Sequence, residues 1–115
     1  MKKDNLVYLR HILDAIKRIG EYTKEINYKD FVNSSLIQSA VIREMEIMGE
    51  ATKRLTQDFK EKYPDIPWKR IAGMRDKLIH DYFGVDLDAV WETVEKDIPI
   101  LRDKLKKIIE KDKHC

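Results

Sequence analysis

Apolar residues recur at every third or fourth position along most of this chain, the spacing that places them on one face of an α-helix. The pattern predicts a first helix over about residues 4–24, with Asp4 as its N-cap, and a short helical turn over about 28–32. A second long helix is predicted to start next, where Ser35 and Gln38 have the spacing of a capping box before an apolar run.

The rest of the chain continues this helical pattern. The second helix is predicted to run without a break from about Leu36 to Lys62. A third is predicted from about Pro67 to Tyr82, because two prolines bar a helix across the preceding loop. Asp86 can cap a fourth helix, in which Pro99 should introduce a kink. The apolar stripe of this fourth helix consists of Val90, Val94, Ile98, Leu101, Leu105 and Ile108. Four main helices, a short helical turn and short connections predict an all-α, up-and-down bundle.

Length and composition agree with this fold class. The 115 residues suffice for a single domain with a substantial core, which we expect to span 1–115. Charged residues make up 38% of the chain and hydrophobic residues 43%, as in a soluble, highly charged helical protein. Only 4 Gly and 3 Pro leave little material for the many turns of a β-sandwich or barrel.

Charge and cysteine usage restrict the possible partners and compartments only loosely. The formal net charge of +2 permits a nucleic-acid partner without demanding one. Cys115 is the only cysteine, so no disulfide framework is expected and a reducing cytoplasm fits. We expect no signal peptide, because charges interrupt the first apolar stretch, and no run approaches the ~18 apolar residues of a transmembrane helix. A cytoplasmic protein with no membrane partner is therefore expected.

Two charged residues stand on the apolar faces of predicted helices. On a helical wheel of about 100° per residue, Arg75 lies within the apolar stripe of the third helix and Glu44 within that of the second. Charges are rarely placed there unless they are paired or functional. One interpretation is a buried Arg75–Glu44 ion pair that only fixes helix packing. The other is that Arg75 points into a cleft between helices or subunits, and the two arrangements can coexist.

The stretch from Arg75 to Tyr82, RDKLIHDY, concentrates the candidate chemistry of the chain. Arg75 can stabilise phosphate charge, His80 can move protons near neutral pH, and Tyr82 adds a hydroxyl that can be modified. Asp76, four residues before His80, can orient the imidazole and favour its charged form. These are the groups that a ribonuclease needs when it works without a metal.

The position of His80 limits how its side chain and that of Arg75 can reach the same site. His80 lies about 140° around an ideal helix from Arg75, so the two side chains do not converge from one face of a straight helix. Either the helix unwinds near His80, because Gly84 follows closely, or two copies of the motif meet across a two-fold axis. The sequence leaves both arrangements open.

Other residue clusters give weaker signals. No Glu-x-x-His pair occurs, which disfavours a di-iron bundle, and the chain has no glycine-rich phosphate loop. His114 and Cys115 stand at the end of the chain, where no designed metal site is expected. We therefore expect neither a metal nor an organic cofactor.

Taken together, these residues resemble the HEPN domains of the HepT-like toxin family. The resemblance covers nearly the whole chain, and its specific part is Arg75 and His80 with the trailing Tyr82. The looser matches are Ile47–Ala51, Trp68, Phe83–Asp86 and Val90–Trp91. The resemblance implies an all-helical homodimer whose two motifs face one shared cleft, and the toxin half of a type VII-like toxin–antitoxin pair. The antitoxin would be a small nucleotidyltransferase that silences the toxin by adding AMP to Tyr82.

The motif and the resemblance lead to one principal hypothesis, a metal-independent endoribonuclease that cleaves single-stranded RNA. The ribose 2′-oxygen attacks the adjacent phosphate, with His80 as general base or acid and Arg75 stabilising the charge on phosphorus. Asp76 orients His80, and Tyr82 positions the phosphate or the scissile ribose. DNA lacks the 2′-hydroxyl and should resist cleavage.

Two other hypotheses are compatible with the same residues. In one, the protein is a non-catalytic helical dimer that binds a nucleotide or a partner, and Tyr82 serves mainly as a substrate of a nucleotidyltransferase. In the other, it is a structural dimer held by a buried Arg75–Glu44 pair, so that Arg75→Ala should unfold it. A neighbouring gene for a small nucleotidyltransferase would favour either of the functional hypotheses over the structural one.

Overall fold

Residues 3–73 and 86–113 are described by a computed structural model of the chain, and every regular element within these two ranges is helical. The predicted all-α fold class is therefore confirmed. In chain order the elements are α1 (Lys3–Thr23), α2 (Tyr28–Val32), α3 (Ser35–Arg54), α4 (Gln57–Lys62), α5 (68–73, its described part), α6 (Leu87–Glu92), a π-helical turn (Thr93–Asp97) and α7 (Ile98–Lys113).

The core of the bundle forms around α1, which packs against both α3 and α7. α1 and α3 run antiparallel, because Asn5 near the start of α1 contacts Thr56 just beyond α3, whereas Arg18 near the end of α1 contacts Glu44. α2 packs against α3 and α6. The largest fully buried side chains include Leu9, Ile12, Ile19, Phe31, Val41, Met45, Met48 and Leu105.

The apolar stripe predicted for the fourth helix is the buried face of α6, the π-helical turn and α7. All six of its residues are buried, and they are Val90, Val94, Ile98, Leu101, Leu105 and Ile108. Burial of each such side chain contributes roughly 1.5–3 kcal/mol to the free energy of unfolding before the entropy of ordering is subtracted. The stripe is therefore what holds this helix on the bundle.

The prediction of one unbroken helix from Leu36 to Lys62 is wrong. The chain breaks it at Leu55, whose backbone is extended (φ −67°, ψ 143°) and whose side chain is buried. The next amide, of Thr56, donates to Oδ1 of Asn5 at 3.0 Å instead of continuing the ladder of α3. The Thr56 hydroxyl then accepts from the Phe59 amide at 3.3 Å and caps α4. The break thus combines the Thr56 cap, which is a local signal, with a partner on α1 that no local pattern reveals.

Two predicted caps have opposite outcomes. Asp4 is not an N-cap, because α1 already includes Lys3 and Asp4 lies in the first helical turn. Its carboxylate there suits the positive end of the helix dipole. Asp86 is the predicted cap of the fourth helix, and its Oδ1 accepts from the amides of Asp88 at 3.0 Å and Ala89 at 3.2 Å. That prediction is confirmed.

The start of α3 is shifted by one residue from its prediction. Ser34, not Ser35, is the N-cap, and its hydroxyl accepts from the Ile37 amide at 3.1 Å. Gln38 does not complete a capping box with Ser35. Its side-chain amide donates to two carbonyls at the end of α2, at 2.8 and 3.0 Å. Gln38 thus provides hydrogen-bond donors for carbonyls at the end of α2 that have no partner within the helix. These bonds stabilise the tight α2–α3 connection.

The disturbance predicted at Pro99 takes the form of the π-helical turn Thr93–Asp97, which ends two residues before the proline. Proline has no N–H to donate to the carbonyl of Glu95, four residues earlier, and its ring crowds that carbonyl. Widening the preceding turn relieves this conflict without ending the helix. The helical run therefore continues from 87 to 113.

Candidate active site

Of the five residues that the sequence assigns to the site, the described structure contains Glu44. Arg75, Asp76, His80 and Tyr82 lie outside the described residues, as does the predicted end of the third helix. Their predicted roles stay predictions. What the structure provides is the surroundings of Glu44, the start of the helix that leads toward the motif, and the cavity beside that start.

Glu44 is the one buried charged side chain among the described residues, with 4% of its surface exposed. Its Oε1 accepts from Nε of Arg18 at 2.8 Å, and its Oε2 accepts from the Tyr22 hydroxyl at 3.4 Å. Both donors stand on α1 one turn apart. They compensate for the desolvation of the carboxylate, which would otherwise be costly in the core. The sequence-based expectation that Glu44 faces the interior is confirmed.

Arg18 is a partner of Glu44 that sequence reasoning missed. Its side chain is 43% exposed, so it reaches from the surface to the buried carboxylate. The pKa of Arg18 is raised above its ordinary value, first of all by the hydrogen bond to Glu44. The sequence signals only that a buried acid needs a donor, and nothing in the pattern selects Arg18 over Arg75. The predicted Arg75–Glu44 pair involves a residue outside the described ranges and stays a prediction.

Trp68 fixes the start of α5, the helix that leads toward the motif. Its indole N–H donates to the carbonyl of Lys60 at 3.1 Å and to that of Tyr63 at 3.0 Å. Its ring packs against Phe59, with 5.9 Å between ring centroids. Ile71, three residues further on, is also buried. Buried contacts at the start and at the end of the first turn, on the same face of the helix, therefore hold α5 against the body of the bundle.

A cavity of 270 Å³ lies between the start of α5 and the run formed by the π-helical turn and α7. Its apolar lining comes from Met48, Pro67, Ile71, Ile98, Ile100 and Leu101. At its polar rim, Nη2 of Arg70 lies 3.0 Å from Oδ2 of Asp97. A second pair joins Lys104 to Asp65, with 3.8 Å between the ammonium nitrogen and the carboxylate oxygen. The cavity thus combines an apolar floor with cations and carboxylates at its mouth.

Within 3–73 and 86–113 there is no group of three or more His, Cys, Asp or Glu side chains that could hold a metal ion. In the same ranges, no helix is both long enough and apolar enough to span a bilayer.

Comparisons with known proteins assign the chain to a family. The model of the family described as "Ribonuclease HepT-like" matches residues 12–108, whereas no solved structure matches. The "Probable ribonuclease HepT" of Thermococcus cleftensis is 50% identical over 108 residues, covering 94% of this chain and 98% of the relative. A Caldanaerobacter subterraneus protein named "Putative RNase" is 48% identical over 106 residues, covering 92% and 95%.

A third relative is longer than this chain. It is a Methanocaldococcus jannaschii protein named "Gamma-glutamylcyclotransferase and putative RNase", 54% identical over 110 residues. The match covers 96% of this chain but only 50% of that relative. The family match over most of the chain and the near full-length match to the Thermococcus protein lead to one conclusion: this chain belongs to the HepT-like ribonuclease family.

Proposed function

We propose that this protein is a metal-independent endoribonuclease that cleaves single-stranded RNA by attack of the ribose 2′-oxygen on the adjacent phosphate. The observation that carries the proposal is the family match, which spans 12–108 and so includes the whole stretch from Arg75 to Tyr82. That stretch contains a proton-transfer group and a cation at the spacing from which the sequence alone predicts phosphate chemistry.

Each motif residue has a distinct role in this proposal. His80 accepts the proton of the 2′-hydroxyl or donates one to the leaving 5′-oxygen. Arg75 stabilises the extra negative charge on the pentacoordinate phosphorus. Asp76 orients the His80 imidazole, and Tyr82 positions the phosphate or the scissile ribose. Because the nucleophile belongs to the substrate, neither a protein nucleophile nor a metal is needed.

Glu44 has a supporting role in the same proposal. Met48 and Ile71 line one cavity, from α3 and α5 respectively. Glu44 stands one turn before Met48, and Arg75 comes four residues after Ile71 in the sequence. In the up-and-down bundle that the sequence predicts, the second and third long helices run in opposite directions, so these two steps would lead to the same level along the pair. We therefore assign to Glu44, already held by Arg18, the positioning of the Arg75 guanidinium.

The proposal includes a homodimer in the cytoplasm. Two copies of the motif meeting across a two-fold axis would bring an Arg75 and a His80 together despite their separation of about 140° on one helix. By its resemblance to the toxin family, the protein is the toxin of a toxin–antitoxin pair. Its partner is a small nucleotidyltransferase that silences it by transferring AMP to the Tyr82 hydroxyl.

The experiment is cleavage of a mixed RNA pool in excess EDTA by the wild-type protein, His80→Ala and His11→Ala. His11 lies exposed on α1 and is the matched control. We expect the wild type and His11→Ala to leave 2′,3′-cyclic phosphate ends and His80→Ala to be inactive. Equal cleavage of DNA, or full activity of His80→Ala, would overturn the mechanism. No cleavage by folded wild-type protein would favour the non-catalytic binding module.

A further inference from the structure

We propose that the cavity between α5, the π-helical turn and α7 binds one unstacked base of the RNA substrate, specifically a base that carries an exocyclic amino group. This inference rests on the proposed ribonuclease function and specifies how that enzyme would hold its substrate. Single-stranded RNA is commonly recognised in this way, because its bases can be splayed out and bound one at a time.

The size and floor of the cavity suit a single planar ring system. Its volume of 270 Å³ lies just below the range of roughly 300–1,000 Å³ that is usual for small-molecule sites. Met48 at the floor is fully buried, and Ile71 and Leu101 are nearly so. Met48 therefore lies beneath the surface that a base would touch. The base itself would contact Ile71 and Leu101 and the more exposed Pro67 and Ile100, whose aliphatic surfaces favour an aromatic ring over water.

The rim of the cavity carries charged side chains that can bind the flanking phosphates and the exocyclic amino group of a nucleotide. The side chain of Arg70 is 67% exposed and that of its partner Asp97 is 43% exposed, so their ion pair is weak and exchanges easily. Arg70 and Lys104 can then bind the flanking phosphates. The Asp97 carboxylate can only accept hydrogen bonds, and the amino groups of adenine, cytosine and guanine are donors that match it. Uracil has no such amino group.

The π-helical turn that precedes Pro99 also forms one wall of the cavity. Thr93 and Asp97, at the two ends of the π-helical turn, both line the cavity. Such turns are rare and occur frequently at functional sites, because the extra residue redirects side chains from the regular helical faces. On the opposite wall, Ile71 precedes Arg75 by four residues.

Binding of labelled oligouridylates by His80→Ala, which should not cleave them, tests the proposal. One series carries a single adenosine, cytidine or guanosine at each position in turn, and a second carries an abasic residue there. We expect an amino-bearing base at one position to tighten binding about tenfold relative to uridine or the abasic residue. Adding Thr93→Leu, which fills the cavity, should remove this preference. Adding Asp97→Asn should reduce it.

Thr23→Leu, also in the His80→Ala protein, is the matched control. The Thr23 and Thr93 hydroxyls each donate to the carbonyl four residues earlier, at 2.8 and 2.9 Å, but Thr23 lies at the end of α1, outside the cavity. Thr23→Leu should keep the preference. A preference that persists in both Thr93→Leu and Asp97→Asn would overturn the proposal, as would equal binding of all oligonucleotides. So would a changed oligomeric state with unchanged RNA affinity, which would make the cavity a protein contact.

The outcomes separate this inference from the proposed function. Cleavage in EDTA without a base preference removes the cavity from the substrate site but leaves the ribonuclease in place. A base preference abolished by Thr93→Leu, in a protein whose wild type does not cleave RNA, supports base binding in the cavity by a non-catalytic module.

Discussion

Nε of Arg18 lies 2.8 Å from Oε1 of Glu44, and this contact joins α1 to α3 inside the bundle. The Tyr22 hydroxyl approaches the other carboxylate oxygen at 3.4 Å. Glu44 therefore has a cation and a second donor from α1, whatever Arg75 does. This relationship separates the structural and catalytic hypotheses for Arg75, because a buried carboxylate with partners of its own does not need a further arginine to remain in the core.

Arg75→Ala is expected to leave the protein folded and to abolish RNA cleavage. The fold should persist because Arg18 and Tyr22 already bind both oxygens of Glu44. Activity should be lost because the charge on phosphorus would lack its cation. Circular dichroism and the EDTA cleavage assay measure the two properties on the same sample. An unfolded Arg75→Ala protein would instead support the structural hypothesis.

Arg18→Ala should lower the free energy of unfolding by about 1–2 kcal/mol, because it removes a charge-assisted hydrogen bond from a buried carboxylate and Arg18 itself is partly exposed. Urea denaturation measures the change. Arg102→Ala is the matched control, since Arg102 is 46% exposed and pairs with its exposed neighbour Asp103 at 3.3 Å. It should cost close to nothing. Equal losses in the two variants would contradict the assignment.

The same variant pair has an expected pH dependence. The pKa of Arg18 is raised above its ordinary value, first of all by the hydrogen bond to Glu44. A raised pKa of a base adds stability that is fully present below its unfolded-state pKa and is lost as the pH rises through its folded-state pKa. The charge of Arg18 should therefore contribute equally from neutral to mildly alkaline pH. A stability difference that shrinks over that range would point to another group.

Asn5→Ala should cost about 1–3 kcal/mol, because it leaves the Thr56 amide without its acceptor at a part-buried site. Asn5 is 3% exposed, and its side-chain nitrogen also donates to the Thr56 hydroxyl at 3.1 Å. Asn5→Asp keeps the acceptor and should lose less than Asn5→Ala. Thermal or urea unfolding measures the stability of both Asn5 variants, and Asn33→Ala, at an exposed position, is the control. If Asn5→Ala resembles the control, another interaction must hold the α3–α4 break.

Co-expression with a small nucleotidyltransferase encoded beside it should raise the intact mass of the protein by one or more AMP units. Tyr82→Phe should abolish the increase, because it removes the hydroxyl that would accept AMP. Tyr28→Phe is the control, since Tyr28 is 42% exposed and would also react if modification were unselective. Mass spectrometry distinguishes the cases. A protein that keeps its unmodified mass would count against the proposed silencing mechanism.

Features that depend on residues close together in the chain could be predicted from the sequence. The all-α class, the buried stripe from Val90 to Ile108, the Asp86 cap and the inward orientation of Glu44 all follow from helical periodicity or from hydrogen bonds within one turn. Such patterns involve residues that are only a few positions apart, so they can be recognised directly in the sequence. The motif from Arg75 to Tyr82 is likewise a matter of spacing, and it is what directed the functional hypotheses.

Features that join distant parts of the chain were decided only by the tertiary structure. Arg18 and Glu44 are 26 residues apart, and Asn5 and Thr56 are 51 apart. The first contact gives the buried acid its partner, and the second breaks the helix that periodicity extends to Lys62. The cavity between α5 and α7 likewise exists only once two separate segments pack together. A sequence pattern specifies which face of a helix is buried, but which side chains meet across that face depends on how whole helices dock.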